Sequence, residues 1–323
     1  MQRMMITVIV AFVLGAVIGK LLLPVLHKLK FGQNIYELAP EAHKKKQGTP
    51  TMGGLTFAAA AIVATLLLND YSVPLFENMG LAVLIMAFGN LCIGFADDMT
   101  KIRGGKNAGL TPKQKMLFQT ILALAFAAYC YVHPQVGSAI QIPFLHAELD
   151  LGILYIPVMR FIIVGTTNSA NLLDGLDGLL CGVSIIDFAT LAILAAAAGL
   201  GSLGICCCAL AGGCMGFWLR NIFPAQMFMG YTGSMFIGGA VVAAAMLMRQ
   251  PLILVLIAFW MLMSSLSVII QVTYFKKTGG KRIFRMSPIH HHFELGGMHE
   301  VRIVAMYMTT TVILCLITLM GVL

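Results

Sequence analysis

The chain has 323 residues, of which 59% are hydrophobic and only 11% charged, and its mean hydropathy is +0.90. This excess of apolar over charged residues excludes an ordinary soluble globular domain and points to the lipid bilayer as solvent. The net charge of +8 does not signal nucleic acid, because the basic residues lie between apolar runs rather than along a soluble helix or an aromatic-studded surface.

Apolar runs follow one another at 3–26, 51–68, 79–96, 116–132, 151–168, 179–199, 203–219, 233–248, 251–275 and 302–323. Most have roughly 17 to 25 residues, enough to cross about 30 Å of hydrocarbon as helix. The expected fold is an all-α integral membrane protein of about ten transmembrane helices, with residues 1–323 forming a single polytopic domain. Pro157 and Arg160 interrupt the fifth run, and only a Gly-Leu-Gly-Ser turn around Gly201 separates the sixth from the seventh. The first run follows Arg3 but has no small-residue cleavage site after it, so it reads as a retained helix rather than a signal peptide. The eight Cys fall mostly inside the runs with no regular C-x-x-C spacing, which argues against zinc and disulfide frameworks. No period of roughly 20 to 50 residues recurs, so neither a solenoid nor an inverted-repeat transporter is indicated.

With ten helices the termini share one side, and loops 27–50, 97–115, 169–178, 220–232 and 276–301 share the other. Counting Arg302 at the last boundary, only Arg3, Lys20, Arg160 and Arg249 of the 21 Lys and Arg lie elsewhere. The positive-inside rule makes the basic face cytoplasmic and puts both termini outside. On the opposite face, 133–150 alternates small, Pro and apolar residues and reads as a hairpin or a surface helix.

Polar residues that are costly near lipid cluster on the basic face, and that coincidence is the main functional signal. The first loop carries His43, Lys44, Lys45 and Lys46, which on their own suit anionic headgroups. It then runs into Gly48-Thr-Pro-Thr51-Met-Gly-Gly54, a turn shaped more like a substrate contact than a spacer. Asp97 and Asp98 stand at the end of the third run; a helix-end charge pair explains them as well as chemistry does. Asn168 to Gly178 contributes Asn171, Asp174, Gly175 and Asp177 with no Lys or Arg among them, a set suited to a metal or a sugar–base ligand. Asn221 to Ser234 places Phe228, Gly230, Thr232, Gly233 and Ser234 at the start of the eighth helix. There backbone N–H groups can meet an anion, although a capped helix start with an interfacial aromatic accounts for the same residues. In the last loop the basic stretch from Lys276 to Arg285, including Arg282, precedes His290-His291-His292-Phe-Glu294. Adjacent His residues cannot all converge on one ion, so phosphate hydrogen bonding is their better use.

Taken in order, Gly48 to Gly54, Asp97-Asp98, Asn171 to Gly178, Pro224 to Gly230 and His290 to Glu294 resemble the phospho-N-acetylmuramoyl-pentapeptide transferase family. That family is a branch of the polyprenyl-phosphate N-acetylhexosamine-1-phosphate transferases. The resemblance implies a bacterial inner-membrane enzyme with a cytoplasmic active site. It would transfer the sugar phosphate of UDP-N-acetylmuramoyl-pentapeptide to undecaprenyl phosphate, with Mg²⁺ as cofactor, releasing UMP. Residue by residue, it implies that Asp97 or Asp98 helps deprotonate or position the lipid phosphate and that Asn171, Gly175, Asp177 and Phe228 hold the uridine. Asp174 would lie near metal or sugar phosphate, and Thr51, Lys113 or Lys115, Arg282, His290 and His291 would contact substrate, His290 also acting in catalysis. Asp98 and Asp174 would be metal ligands. A homodimer follows from the resemblance alone.

One position departs from the family pattern. Where the family motif reads Met-Gly-Asp-Thr-Gly-Ser, this chain has Met229-Gly230-Tyr231-Thr232-Gly233-Ser234, and a neutral phenol is a poor Mg²⁺ ligand. Weak Mg²⁺ binding and slow or absent turnover are the expectation. Two alternatives stay open: a sister transferase using UDP-N-acetylglucosamine, and a non-catalytic binder or transporter of lipid phosphates. Asp187, inside the sixth run, has no assigned role.

Overall fold

The computed structural model describes residues 1–28, 46, 48–104, 109–145 and 147–323. Of the loop cations counted above, Lys30, Lys44, Lys45 and Lys106 lie outside the described residues, as does His43. The protein is an all-α bundle in which each apolar run becomes a helix. These are α1 (Gln2–Lys28), α2 (Gly54–Leu68), α3 (Met79–Gly104), α4 (Pro112–Val132), α5 (Tyr155–Leu173), α6 (Leu179–Ala197), α7 (Gly201–Asn221) and α8 (Gly230–Leu247). A short α9 (Leu254–Ile257), α10 (Phe259–Lys277), the single-turn α11 (Ile289–Glu294) and α12 (Glu300–Val322) complete the set. Among the described residues nine helices are long and apolar enough to cross a membrane, whereas α2, with 15 residues, is shorter than the full span expected of 51–68. The run 251–275 is likewise broken, with a 3-10 turn at Pro251–Ile253 and α9 preceding α10.

Local chemistry explains where helices outlast their apolar runs. The third passes Asp97 and Asp98 and ends at Gly104, because Lys101 pairs with Asp97 at i,i+4 and the Thr100 hydroxyl bonds back to the Ala96 and Asp97 carbonyls. The two carboxylates thus sit inside α3 rather than at its end. The fifth continues to Leu173, so Asn168 and Asn171 are helical and not part of a loop beginning at 169. Pro157 falls in the first turn of α5, where its missing N–H costs nothing, and Arg160 reaches the Thr120 hydroxyl at 3.0 Å. At the start of α4, Thr111 and Gln114 form a reciprocal capping box followed by Pro112.

Helix α8 is the centre of the bundle, with every residue from Thr232 to Leu247 buried. Its Gly and Ala side let α3 and α5 pack closely, and α7, rich in Gly, Ala and Cys, packs in the same way on α1, α2 and α6. Large apolar side chains of α1, α4, α10 and α12, such as Leu21, Ile121, Ile269 and Leu316, point outward to where lipid would lie. Segment 133–150 is a β-hairpin, β1 (Ala139–Ile142) antiparallel to β2 (Ala147–Asp150), with Gln141 opposite Glu148. It is tied to the far end of α8, where the Gln141 N–H donates to the Arg249 carbonyl and Arg249 pairs with Glu148 at 2.9 Å. That end is about 27 Å from the first residue of α8, at 1.5 Å per residue.

Candidate active site

The opposite end of α8 gathers the polar residues. Gly53 and Gly54 donate to the carbonyls of Phe228 and Met229, and the Phe228 N–H donates to Pro50, so the 50–54 turn is stitched to the segment entering α8. This brings Thr51 against Gly230. A methyl group on Gly230 would come within 2.7 Å of the Thr51 hydroxyl and 2.9 Å of Asp98 Oδ2, and Gly230 also has φ +74°, so both space and backbone require glycine there.

The start of α8 receives an anion, and that anion is the protein's own: Asp98 Oδ2 accepts from the Thr232 N–H at 2.9 Å and from its hydroxyl at 2.8 Å. Asp97 is more fully engaged. Its oxygens meet Lys101 at 2.6 Å and Lys115 at 2.8 Å, and it accepts from the Leu110 N–H at 2.8 Å. Asp98 Oδ1, with Lys101 at 3.8 Å, is the less committed oxygen of the pair. Lys115 therefore belongs to the site and Lys113 is exposed to solvent, which separates two lysines that the sequence left equivalent. Tyr231 stands between the cations, its ring centroid 4.6 Å from Lys101 Nζ and 4.4 Å from Lys115 Nζ.

Across α8, the Asn171 amide donates to the Ser234 hydroxyl at 3.0 Å. Asp174 caps α5; burial pushes its carboxyl up to about 7, and the charges of Asp98 and Asp177 push the same way. Beside it, Gly175 lies against buried His290. A Cβ there would come within 2.1 Å of His290 Nε2, so the glycine is what allows the imidazole its place. The three His residues diverge as expected: His290 packs on Gly175, His291 Nδ1 is 3.0 Å from Glu294, and His292 accepts from the Arg285 N–H.

Asp177 has a structural commitment that the sequence did not suggest. Its Oδ1 pairs with Lys46 at 2.7 Å and its Oδ2 accepts from the Ala225 N–H at 2.9 Å. Lys46 also binds both oxygens of Glu300, at 2.8 and 2.9 Å, and Glu300 accepts in turn from the Asp177 N–H. Glu300 went unnoticed in the sequence, and Lys46 was read there with its neighbours as a headgroup contact. A lone acid opening a helix just after a basic loop was the available signal. Phe228 is half-buried, and the ring over which Lys46 lies is that of Phe223. Arg282 is exposed and meets the Arg285 carbonyl and the Phe275 ring.

Residues 80–249 match the family described as "Glycosyl transferase family 4". Over 317 residues, covering 98% of this chain and 96% of the relative, the sequence is 45% identical to the phospho-N-acetylmuramoyl-pentapeptide-transferase of Clostridium novyi (strain NT). The chain belongs to the phospho-N-acetylmuramoyl-pentapeptide-transferase family. Its similarity to family members of the same name extends to Clostridium perfringens (strain SM101 / Type A), at 44% identity over 98% of this chain and 95% of that protein. A Clostridium kluyveri relative (strain ATCC 8527) is also 44% identical, with 98% of each chain covered.

Membership implies Mg²⁺, and the residues can be tested against it. Asp98 and Asp174 offer two carboxylates at one end of the bundle, and the mutual repulsion felt by Asp174 is the field a cation would relieve. Among the described residues, however, no three His, Cys, Asp or Glu side chains are grouped to hold a metal ion. Position 231 carries a phenol ring, already flanked by two ammonium groups. Asp98 and Asp174 would hold such an ion only with water or substrate phosphates completing its shell.

Proposed function

We propose that this chain catalyses transfer of phospho-N-acetylmuramoyl-pentapeptide from its UDP carrier to undecaprenyl phosphate, releasing UMP, as a step in peptidoglycan synthesis. A lipid-phosphate oxygen would attack the sugar-bearing phosphorus, and the bond to the UMP oxygen would break. The observation that carries this reading is the convergence, at one end of a lipid-facing bundle, of Asp98, Lys101 and Lys115 with the Asn171–Asp177 segment, Phe228 and His290. Phosphoryl transfer asks mainly for positioning and charge neutralisation, and this group of side chains offers both.

In this reading Lys101, Lys115 and His290 bind phosphate oxygens. Asp98, through its less committed oxygen, positions the lipid phosphate or takes its proton. The 171–177 segment and Phe228 hold the uridine, with Lys46 and Glu300 fixing that segment from behind. The basic loops face the cytoplasm of a bacterial cell by the positive-inside rule, which gives the soluble nucleotide access and, with α2 counted as a tenth crossing, leaves both termini outside. A homodimer belongs to the same proposal. Mg²⁺ binding would be weak and turnover slow, because Tyr231 replaces a carboxylate with a bulkier neutral ring.

The test is UMP release from UDP-N-acetylmuramoyl-pentapeptide and undecaprenyl phosphate with Mg²⁺, comparing the chain with its Tyr231→Asp form. The expected result is a rate increase on substitution of at least about a hundredfold, the scale of one electrostatic transition-state contact. Equal rates would remove position 231 from the metal site. Silence of both forms, with UDP-N-acetylglucosamine accepted instead, would move the chain to the sister reaction.

A further inference from the structure

The β-hairpin lies at the end of the bundle away from the candidate site, and its course fixes where its tip stands. Its first strand starts against the end of α8: the Gln141 N–H donates to the Arg249 carbonyl, and Arg249 Nε donates to the Ala139 carbonyl at 3.3 Å. Its tip ends against α12, where the Phe144 N–H donates to the Gly321 carbonyl at 2.8 Å and the Phe144 ring fills the space that a side chain at 321 would need. Helix α8 is buried at the centre of the bundle, whereas α12 stands at its rim with a row of outward apolar side chains. The hairpin therefore runs from centre to rim and presents its tip beside lipid.

Depth follows from α12 itself. Glu300, at the first turn, belongs to the polar end of the bundle, and Gly321 lies about 32 Å further along the axis at 1.5 Å per residue. The hydrocarbon core is about 30 Å thick. The tip is thus level with the boundary between acyl chains and headgroups in the leaflet away from the site.

The side chains suit that boundary. Residues 139–147 include no Lys, Arg, Asp or Glu, and at the tip Leu145 is 72% exposed and Phe144 53%. Gly321 directly follows Met320, which is 83% exposed and continues the outward stripe of Ile313, Leu316 and Ile317. Two large apolar side chains here extend a surface that already faces lipid, and placed in water they would gain nothing. The hairpin's charges are held elsewhere: Glu148 pairs with Arg249, and Asp150 accepts from the Ser138 hydroxyl and the Gly152 N–H. Phe144 also has φ +68°, a backbone conformation costly for a bulky residue, and its hydrogen bond to Gly321 pins it there.

We propose that Phe144 and Leu145 form a lipid anchor, inserting into the boundary between headgroups and acyl chains of the leaflet opposite the site, as interfacial apolar segments do.

Depth-dependent fluorescence quenching tests it. The full chain carrying Leu145→Trp is reconstituted in vesicles of dioleoylphosphatidylcholine, and in vesicles whose phosphatidylcholine bears bromines either near the headgroup end or near the terminus of the acyl chains. The parent run alongside gives the emission of Trp218 and Trp260 to be subtracted, and thermal unfolding checks that the bundle survives. The added emission should be blue-shifted, mostly lost to the shallow bromines, less so to the deep ones, and insensitive to iodide present on both sides of the bilayer. Quenching by iodide but not by bromine would place the tip in water and overturn the proposal. Stronger quenching by the deep bromines would also overturn it, since the tip would then lie inside the hydrocarbon. Blue-shifted emission that neither quencher reaches would mean that a second copy of this chain covers the tip, and lipid would lose its place as the partner. None of these outcomes touches the transferase reading, which rests on the opposite end of the bundle.

Discussion

Lys46 and Glu300 are 254 positions apart in the chain, and the lysine ammonium lies 2.8 and 2.9 Å from the two Glu300 oxygens while it also holds Asp177 at 2.7 Å. This contact fastens the start of α12 to the turn after α5. Glu300 is buried and Lys46 largely so, and removing one partner of such a pair leaves the other charge poorly compensated. Glu300→Gln should therefore destabilise the protein by about 1–3 kcal/mol. It should also weaken uridine-nucleotide binding more than it slows turnover, because it loosens the 171–177 segment without touching the phosphate cations. Thermal unfolding and separate measurement of KM and kcat in the Tyr231→Asp background check this. A variant losing kcat alone would place Glu300 in the chemistry instead.

Gly175 is defined by what stands against it. With His290 Nε2 at 2.1 Å from where a Cβ would be, and His290 fully buried, neither side can give without moving α11. Gly175→Ala should leave the membrane bundle folded but displace the imidazole. Misplacement of about 1 Å in a phosphoryl-transfer site is enough to cost about a hundredfold in rate. The check is the rate of UMP release by Gly175→Ala in the Tyr231→Asp background; a rate within a factor of about three of its parent, well short of that cost, would mean that His290 acts from a different position.

The helices were legible because bilayer thickness sets their length, and a run of apolar side chains records that thickness directly. Their polar ends were not. The third helix overruns Asp97 because Lys101 comes one turn later, and the fifth overruns Asn168 because its amide donates to the Val164 carbonyl and exchanges hydrogen bonds with Gln119. The motif residues Asp98, Asn171, Asp174 and His290 were visible as polar groups where lipid forbids ornament. Glu300 and the significance of Lys46 were hidden, since their partner Asp177 is 123 and 131 positions away and no local spacing announces the pairing. The choice between Lys113 and Lys115 was likewise invisible, because it depends on which face of α4 meets α3.

That choice makes a sharp comparison. Lys115 bridges to Asp97 across two helices, whereas Lys113 is in water. Lys113→Ala should change UMP release by less than about twofold, as surface substitutions usually do. Lys115→Ala in the same Tyr231→Asp background should lower it by about a hundredfold, through loss of a preorganised charge. Equal losses from both variants would contradict the placement of α4 against α3.

Asp174 supplies a pH signature. Its carboxyl is pushed up to about 7 from an ordinary value of 3.8, first by burial and then by Asp98 and Asp177. Because the folded state holds this proton more tightly than the unfolded state, the folded state binds more protons between the two values. Stability is then greatest at low pH, falls as pH rises from about 4 towards 7, and levels off above that. In metal-free buffer, the unfolding temperature should drop between pH 5.5 and pH 8, a window that brackets the upper value, and Asp174→Asn should flatten the drop. A site that gains a cation reverses the effect, because the ionised carboxylate becomes the favoured form. Adding Mg²⁺ at pH 8 should therefore raise the unfolding temperature of Tyr231→Asp, whose extra carboxylate would join Asp98 and Asp174 in the proposed reading, and leave the parent nearly unchanged. An equal rise in both proteins would show that Asp98 and Asp174 hold the ion without help from position 231.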